Sequence, residues 1–173
     1  HASVASFSRF NLELMALGAP SWLLAASTRA AGDEIRHARI SYGIAAARLK
    51  QYDQAIADFD SVLKRQPKSA VAVNERGDAW RALRDYDRAL ADYGRAIGFA
   101  FDWPEAYRDR GYLYHLRAQY DEARSDFDRA IRLNRGDAEA WNGRALVSLA
   151  EGDIDKAIGD FSRALSILPE SGA

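Results

Sequence analysis

Eight aspartates recur at fixed spacing and are the residues of this chain that most resemble a catalytic set. They lie in four phrases, QYDQAIADF at 51–59, DYDRALADY at 85–93, QYDEARSDF at 119–127 and DIDKAIGDF at 153–161. Each phrase carries an Asp at its third and eighth residues and begins 34 residues after the previous one. Paired carboxylates act as general acid and base when a substrate cleft surrounds them. The spacing therefore raises the question of whether these aspartates are catalytic or structural.

Four copies of one pair argue against catalysis, because an enzyme needs a single site within a single cleft. The sequence has no cysteine, no Gly-rich phosphate loop and no Gly-x-Ser-x-Gly elbow. Its histidines, which lie far apart and outside any His–Glu metal motif, are His1, His37 and His115. We therefore expect no enzyme activity, no catalytic residue, no cofactor and no metal site.

The composition narrows the classes of function further. The chain has 173 residues, of which 24 are basic and 25 are acidic. Binding to nucleic acid requires a basic surface, and a membrane-spanning helix requires about 18 consecutive apolar residues. Neither is present, so we expect no nucleic-acid partner and no membrane span. The absence of cysteine leaves both cytoplasm and periplasm open, while the frequent Ala and Arg resemble bacterial sequences.

The four phrases belong to a longer repeat, and this repeat positions the aspartates. Without any insertion, the chain divides into units of 34 residues, namely 36–69, 70–103, 104–137 and 138–171. In each unit, apolar and small residues recur every three or four residues in two stretches, which predicts two helices. A short polar break such as Arg84-Asp85 separates the two stretches. The large rings at position 24 of each unit are Phe59, Tyr93, Phe127 and Phe161.

The 34-residue period, together with the order of small and aromatic residues in each unit, resembles the tetratricopeptide repeat over about four fifths of the chain. The resemblance implies an all-α fold, a right-handed α-α superhelix of stacked antiparallel helix pairs. It also implies an interaction scaffold that binds a protein or peptide in a concave groove lined by the first helices. The implied groove residues are Ile40, Ile44, Asn74, Asp78, Arg81, Arg108, Tyr112, His115, Asn142 and Leu146.

The side chains at these groove positions predict how a peptide would be held. Asn74 and Asn142 offer both a donor and an acceptor to a peptide backbone, and Tyr112 offers an aromatic anchor. The cationic positions, which could take an acidic group, are Arg81, Arg108 and His115. Ile40 and Ile44 stand where the Lys and Asn clamp of the chaperone-tail-binding members begins, so we do not expect that specificity.

The first Asp of each phrase is predicted to lie in the first turn of the second helix, where free N–H groups and the helix dipole favour a carboxylate. These residues are Asp53, Asp87, Asp121 and Asp155. The aspartates therefore have a structural explanation that needs no substrate.

The second Asp of each phrase lies at position 23 of its unit. In the family, positions 7 and 23 are often both apolar, whereas three units of this chain have an Arg and an Asp there. This joint change predicts that the two residues pair. Pairing could occur within a unit or across units. We favour the pairs across units, since only Asp160, at the end of the array, is then left over. The favoured pairs are Asp58 with Arg76, Asp92 with Arg110, and Asp126 with Arg144.

Residues 1–35 fall outside the four units and form an apolar N-terminal segment with a predicted helix near 21–31. An apolar segment is costly to leave in water, so we expect it to dock in its own groove or against a second copy. The last helix, which exposes Leu165 and Leu168, is a second candidate surface for a homo-oligomer. The alternative to a peptide-binding scaffold is therefore a self-associating module whose groove holds its own or a neighbouring N-terminal segment.

Overall fold

The computed structural model describes residues 40–41 and 43–167 of the chain. Eight helices occur in these residues, and the first, α1, comprises the helical residues 40–41 and 43–48. The others are α2 Tyr52–Arg65, α3 Ala70–Ala82, α4 Tyr86–Phe99, α5 Pro104–Leu116, α6 Tyr120–Leu133, α7 Ala138–Ala150 and α8 Ile154–Ile167. The N-terminal segment 1–35, with its predicted helix near 21–31, lies outside the described residues, as does Leu168.

The helices form hairpins that stack side by side. Each first helix packs against the second helix of its own unit, so that α3 meets α4, α5 meets α6 and α7 meets α8. Each second helix packs in turn against the first helix of the next unit. The predicted all-α fold of stacked antiparallel helix pairs is confirmed, and the described residues contain no strand. None of the described helices is long and apolar enough to cross a bilayer.

The turn from the first helix to the second has the same backbone form in every unit. Its position 15 has a positive φ in Lys50 (60°), Arg84 (63°), Ala118 (57°) and Gly152 (83°). The following residue donates its N–H to the carbonyl five residues earlier, as Asp85 does to Trp80 at 2.9 Å. This left-handed cap satisfies a carbonyl at the helix end, but it strains any residue that has a β-carbon. Only the fourth unit places a glycine at this position.

The start of each second helix agrees with the sequence prediction. The first-turn acidic residues are Asp53, Asp87, Asp121 and Asp155. In α4 the preceding residue, Asp85, is the N-cap and accepts the backbone N–H of Arg88 at 3.2 Å. Pro104 opens α5, as expected at a position whose N–H has no partner in the helix. The first-turn carboxylates therefore lie where the helix dipole favours a negative charge.

A ring at position 24 fills the space between the two helices of a unit. Phe59, Tyr93 and Phe127 have no solvent-exposed surface. A glycine of the first helix faces each of the last two rings. A β-carbon on Gly77 would lie 2.8 Å from Cε1 of Tyr93, and one on Gly111 would lie 3.0 Å from Cε1 of Phe127. Glycine is therefore needed for the close approach of the helix backbone to the ring.

The arginines at position 7 pair within their own unit, so the favoured pairing across units is wrong. Arg76 donates through Nε and Nη2 to both carboxylate oxygens of Asp92, at 2.8 and 2.7 Å. The equivalent pairs are Arg110 with Asp126, at 2.7 and 2.8 Å, and Arg144 with Asp160, at 2.7 Å for both bonds. Asp58 is not paired with Arg76 and instead accepts from Gln54 at 3.2 Å.

The packing of the hairpin explains this correction. Position 8 of the first helix faces the ring at position 24 within the same unit, as Gly77 faces Tyr93. Positions 7 and 23 also face each other across the same helix pair, as the two bonds from Arg76 to Asp92 show. Asp160 has a partner in Arg144, and it is Asp58 that has no arginine at position 7, because its own unit carries Tyr42 there.

Two of the same arginines also tie their unit to the previous one. The contacts, both from Nη1 to an Asp at position 25, are Arg76 to Asp60 at 2.5 Å and Arg144 to Asp128 at 2.7 Å. The corresponding residue before Arg110 is Gly94, where a β-carbon would lie 3.9 Å from Nη1. Ion pairs across units therefore exist, but they use the Asp at position 25, which was not predicted. The interface between the second and third units lacks this pair.

The Gly94→Asp variant is expected to be more stable than Gly94→Asn by about 0.5 to 1 kcal/mol, because only the carboxylate can pair with Arg110. Both variants remove the helix cost of glycine, so their difference isolates the charge. Urea denaturation at low and high salt measures it, and the gap should narrow in high salt. Equal stability of the two variants at low salt would contradict this role of position 25.

Candidate binding groove

The first helices lie next to one another along one side of the stack. Contacts join α3 to α5 and α5 to α7 in addition to the contacts within hairpins. The predicted groove residues of units two to four belong to these three helices. Their side chains can therefore act together on one surface, which we call the groove face, formed by α3, α5 and α7.

Hydrogen bonds between side chains link successive first helices on the groove face. Asn74 on α3 donates through Nδ2 to Oδ2 of Asp109 on α5 at 3.0 Å. Arg108 on α5 donates through Nη1 to Oδ2 of Asp137 at 3.1 Å, and Asp137 is the N-cap of α7. Asn74 and Arg108, which were predicted to contact a ligand, therefore also hold the units together.

Tyr112 also links α5 to α7. Its hydroxyl donates to the backbone carbonyl of Glu139 on α7 at 2.7 Å and accepts from Nδ2 of Asn142 at 3.5 Å. Its ring meets the ring of Phe127 edge-on, with centroids 5.0 Å apart. Tyr112 is thus anchored at both ends, which presents a rigid edge of the ring to the groove face.

Arg81 and Asp78 bind each other on the groove face. Nη2 of Arg81 donates to Oδ1 of Asp78 at 2.9 Å, and the Tyr93 hydroxyl donates to the same oxygen at 2.7 Å. Burial, and then the charge of Asp78, raise the pKa of Tyr93 well above its ordinary value, so this hydroxyl remains a donor. Arg108 is likewise held by Asp137. Both predicted arginines are therefore already paired with a carboxylate of this chain.

Two carboxylates that the sequence analysis missed lie near Asp78. Burial, followed by the charges of Asp78 and Asp109, raises the pKa of Glu75 on α3 to about 7. Burial and then Asp78 raise the pKa of Asp109 on α5 to about 6. Both residues occupy position 6 of their units, one residue after a predicted groove position. Acidic residues at that position in two successive units were the signal that could have revealed them.

The remaining predicted residues lie outside this hydrogen-bond network. Ile40 and Ile44 on α1 pack against the buried core of the first two units. His115 is half-buried, with its ring 5.8 Å from the ring of Tyr120, and Leu146 on α7 is half-buried. The structure therefore brings the central residues into one network and leaves the apolar residues beside it.

The groove face is equipped for hydrogen bonding and charge pairing. Within the part of the chain that the structure describes, no group of three His, Cys, Asp or Glu side chains has the arrangement of a metal site. The network offers carboxylates, amides and a tyrosine edge on one surface, which are the groups that recognise an extended peptide.

A family model described as "Tetratricopeptide repeat" matches residues 42–106 and 108–172. The two matches together span well over half of the chain. Comparison with curated proteins finds no match.

Three solved structures illustrate the similarity in fold. MamA 41-end from Desulfovibrio magneticus RS-1 is 19% identical, with 94% of this chain and 93% of that chain covered and a TM-score of 0.69. The Pseudomonas aeruginosa pilF structure is 21% identical, with 78% and 62% covered and a TM-score of 0.74. The first TPR of Spaghetti (RPAP3), bound to the HSP90 peptide SRMEEVD, is 23% identical, with 68% and 93% covered and a TM-score of 0.64. These similarities establish the fold.

Proposed function

This chain belongs to the tetratricopeptide repeat family, and from that premise we propose that it is a non-enzymatic scaffold that holds an extended segment of a partner protein on its groove face. Repeats of this family generally serve protein–protein interaction. The partner segment would lie across α3, α5 and α7, where it could reach polar groups of three units at once.

The observation that carries this proposal is the polar network that spans three successive first helices. Asn74 and Tyr112 are held by residues of the next unit, at 3.0 and 2.7 Å. Arg108 is held at 3.1 Å by Asp137, the N-cap of the next unit's first helix. Side chains that are already held in place lose little conformational entropy when a ligand binds. A preorganised polar surface of this kind supports recognition of a peptide better than a set of free surface charges would.

A likeness in fold also supports a peptide ligand. The first TPR of Spaghetti (RPAP3) is bound to the HSP90 peptide SRMEEVD, whose last residues include three carboxylate side chains. In this chain Arg81 already contacts Asp78, and Arg108 already contacts Asp137. We therefore propose a peptide in the groove, but not that acidic sequence.

A second candidate, a self-associating module, is supported by the apolar face of α8. Its exposed residues, with their exposed fractions, are Ile154 (51%), Ile158 (58%) and Leu165 (70%). Apolar side chains at helical spacing are a common feature of helix-packing surfaces. A second copy of the chain could cover this face, and the apolar segment 1–35 could take part.

Single charged substitutions separate the two candidates. Leu149 on α7, about one helical turn after the predicted groove residue Leu146, is 47% exposed, and Ile158 on α8 is 58% exposed. Leu149→Arg and Ile158→Arg therefore place the same charge on the two surfaces without entering the core. Affinity capture from extracts of the source cells, with cross-linking and mass spectrometry to locate contacts, measures the partner. Light scattering measures self-association, and circular dichroism confirms that both variants are folded.

We expect Leu149→Arg to lower capture of the groove partner about tenfold or more, a loss of about 1.4 kcal/mol, while Ile158→Arg captures it normally. Capture that survives Leu149→Arg, with cross-links away from the groove face, would contradict the scaffold proposal. A dimer that is lost in Ile158→Arg alone would support the second candidate.

A further inference from the structure

Three carboxylates lie together at the centre of the groove face, and one of them has no ion pair among the described residues. They are Glu75 and Asp78 on α3 and Asp109 on α5. Asp78 is bonded to Arg81 at 2.9 Å. Asp109 shares Arg108, whose nitrogens lie 3.5 Å from Asp109 and 3.1 Å from Asp137. Glu75 forms no ion pair with the described residues. We call these three side chains the acidic cluster.

The charges that face the acidic cluster come from several helices. The basic ones are Arg48 on α1, Arg81 on α3 and Arg108 on α5, and Tyr93 on α4 faces it as a neutral hydroxyl. Burial, and then the neighbouring carboxylates, raise the pKa of both Glu75 and Asp109, and the arginines oppose this shift without cancelling it. An added cation would therefore be stabilised there.

An unsatisfied acceptor lies beside the acidic cluster. Asn74 is 2% exposed and uses its Nδ2 to bind Asp109, while its Oδ1 has no hydrogen-bond donor. A buried polar atom without a partner costs free energy that a suitable donor would recover. This observation is independent of charge, and it also calls for a ligand that donates hydrogen bonds.

The chemistry of the missing ligand follows from these acceptors. A metal ion does not fit, because the described residues hold no group of His, Cys, Asp and Glu side chains with metal-binding geometry. An ammonium or guanidinium group carries the positive charge and several N–H donors on one head. The side chain of Asp78 is 31% exposed and that of Asp109 is 15% exposed, so Asp78 is the more accessible of the two to a ligand from solvent. A lysine or arginine side chain carries such a head on a long apolar stem.

We propose that the groove recognises a basic segment of its partner and seats a lysine or arginine side chain among Glu75, Asp78 and Asp109, with the Asn74 oxygen as a further acceptor. This inference rests on the proposed groove function and adds the chemical class of the ligand. It also places α3 and α5 at the centre of recognition, and it excludes acidic peptides from this part of the groove.

A pair of synthetic peptides tests the inference. The probes are fluorescein-labelled peptides of about eight residues, one alternating Lys with Ala and one alternating Glu with Ala. Fluorescence anisotropy with the full chain measures their affinities at low and physiological salt. The binding variant is Glu75→Gln with Asp109→Asn, which removes two charges and keeps the shapes. The matched control is Asp121→Asn with Glu122→Gln, which makes the same charge change on exposed residues of α6.

We expect the Lys peptide to bind, the Glu peptide not to bind, and the groove variant to weaken the Lys peptide about tenfold, while the control variant binds normally. Affinity should also be higher at about pH 8 than at about pH 5.5. Glu75 and Asp109, with pKa values raised to about 7 and 6, are charged at the higher pH and largely protonated at the lower, while lysine is charged at both.

Equal binding of the Lys peptide to both variants, or binding of the Glu peptide as tightly as the Lys peptide, would overturn the inference. Spermidine that binds as tightly as the Lys peptide would assign the site to a free polyamine and would also overturn it. These outcomes are distinct from failure of the groove itself. A natural partner that is lost in Leu149→Arg, but whose cross-linked segment has no Lys or Arg, would keep the scaffold and refute the basic ligand.

Discussion

The Arg110→Ala variant is expected to lose about 3 kcal/mol of the free energy of unfolding, because it leaves the carboxylate of Asp126 buried without a cation. The side chain of Asp126 is 7% exposed, and Arg110 donates to both of its oxygens at 2.7 and 2.8 Å. Burial already raises the pKa of Asp126 even though Arg110 opposes the shift. Without Arg110 the charged form is disfavoured further, so the loss should be larger at neutral than at acidic pH.

The matched control replaces both partners of this pair with Leu. Arg110→Leu with Asp126→Leu leaves no buried charge, and related repeats often carry apolar residues at both positions. We expect this double variant to regain most of the stability, to within about 1 kcal/mol of the native chain. Urea denaturation followed by circular dichroism measures all three proteins. A double variant as unstable as Arg110→Ala would show that the pair acts through specific geometry and not through the cost of an unpaired charge.

The Phe127→Ala variant is expected to cost about 3 to 5 kcal/mol, because the ring fills a closed space between two units. Phe127 is fully buried, and Tyr112 packs edge-on against it. A β-carbon placed on Gly111 of its own unit would lie 3.0 Å from the ring, and one on Gly143 of the next unit would collide with it. Truncation would therefore open a cavity that neither helix backbone can easily close.

The comparison variant for this prediction is Phe161→Ala, at the same position of the fourth unit. Phe161 is only half-buried, so we expect it to lose less than half as much. Thermal and urea denaturation should both be recorded, since stacked repeats can unfold in more than one step. Similar losses for the two variants would contradict the role assigned to the contact of Phe127 with the following unit.

Much of the fold could be predicted from the sequence because each unit repeats the same local rules. The helical spacing, the first-turn aspartates and Pro104 at the start of α5 are local features, and each agrees with the observed helices. The large ring at position 24 also recurs in every unit, and three of these rings are fully buried. The strained turn residue at position 15 was not predicted, because Lys50, Arg84 and Ala118 carry no sign of a left-handed conformation.

The candidate site was less predictable, because its residues act through neighbours from other units. The groove positions implied by the family resemblance were assigned from one helix at a time. That procedure could select Asn74, but it could not show that Asp109, 35 residues later, binds it. It also could not show that Arg81 is occupied by Asp78. The charge of the surface therefore has to be judged from the assembled helices.

The sequence by itself determined that the chain consists of repeated helix pairs and that its eight recurring aspartates belong to the scaffold. Only the tertiary structure decided which partner each charge has. Arg76 lies 18 residues after Asp58 and 16 residues before Asp92, and the repeat pattern permits either pairing. The packed hairpin settles the choice, because it places Arg76 against Asp92 within one unit and leaves Asp60 to join it to the unit before.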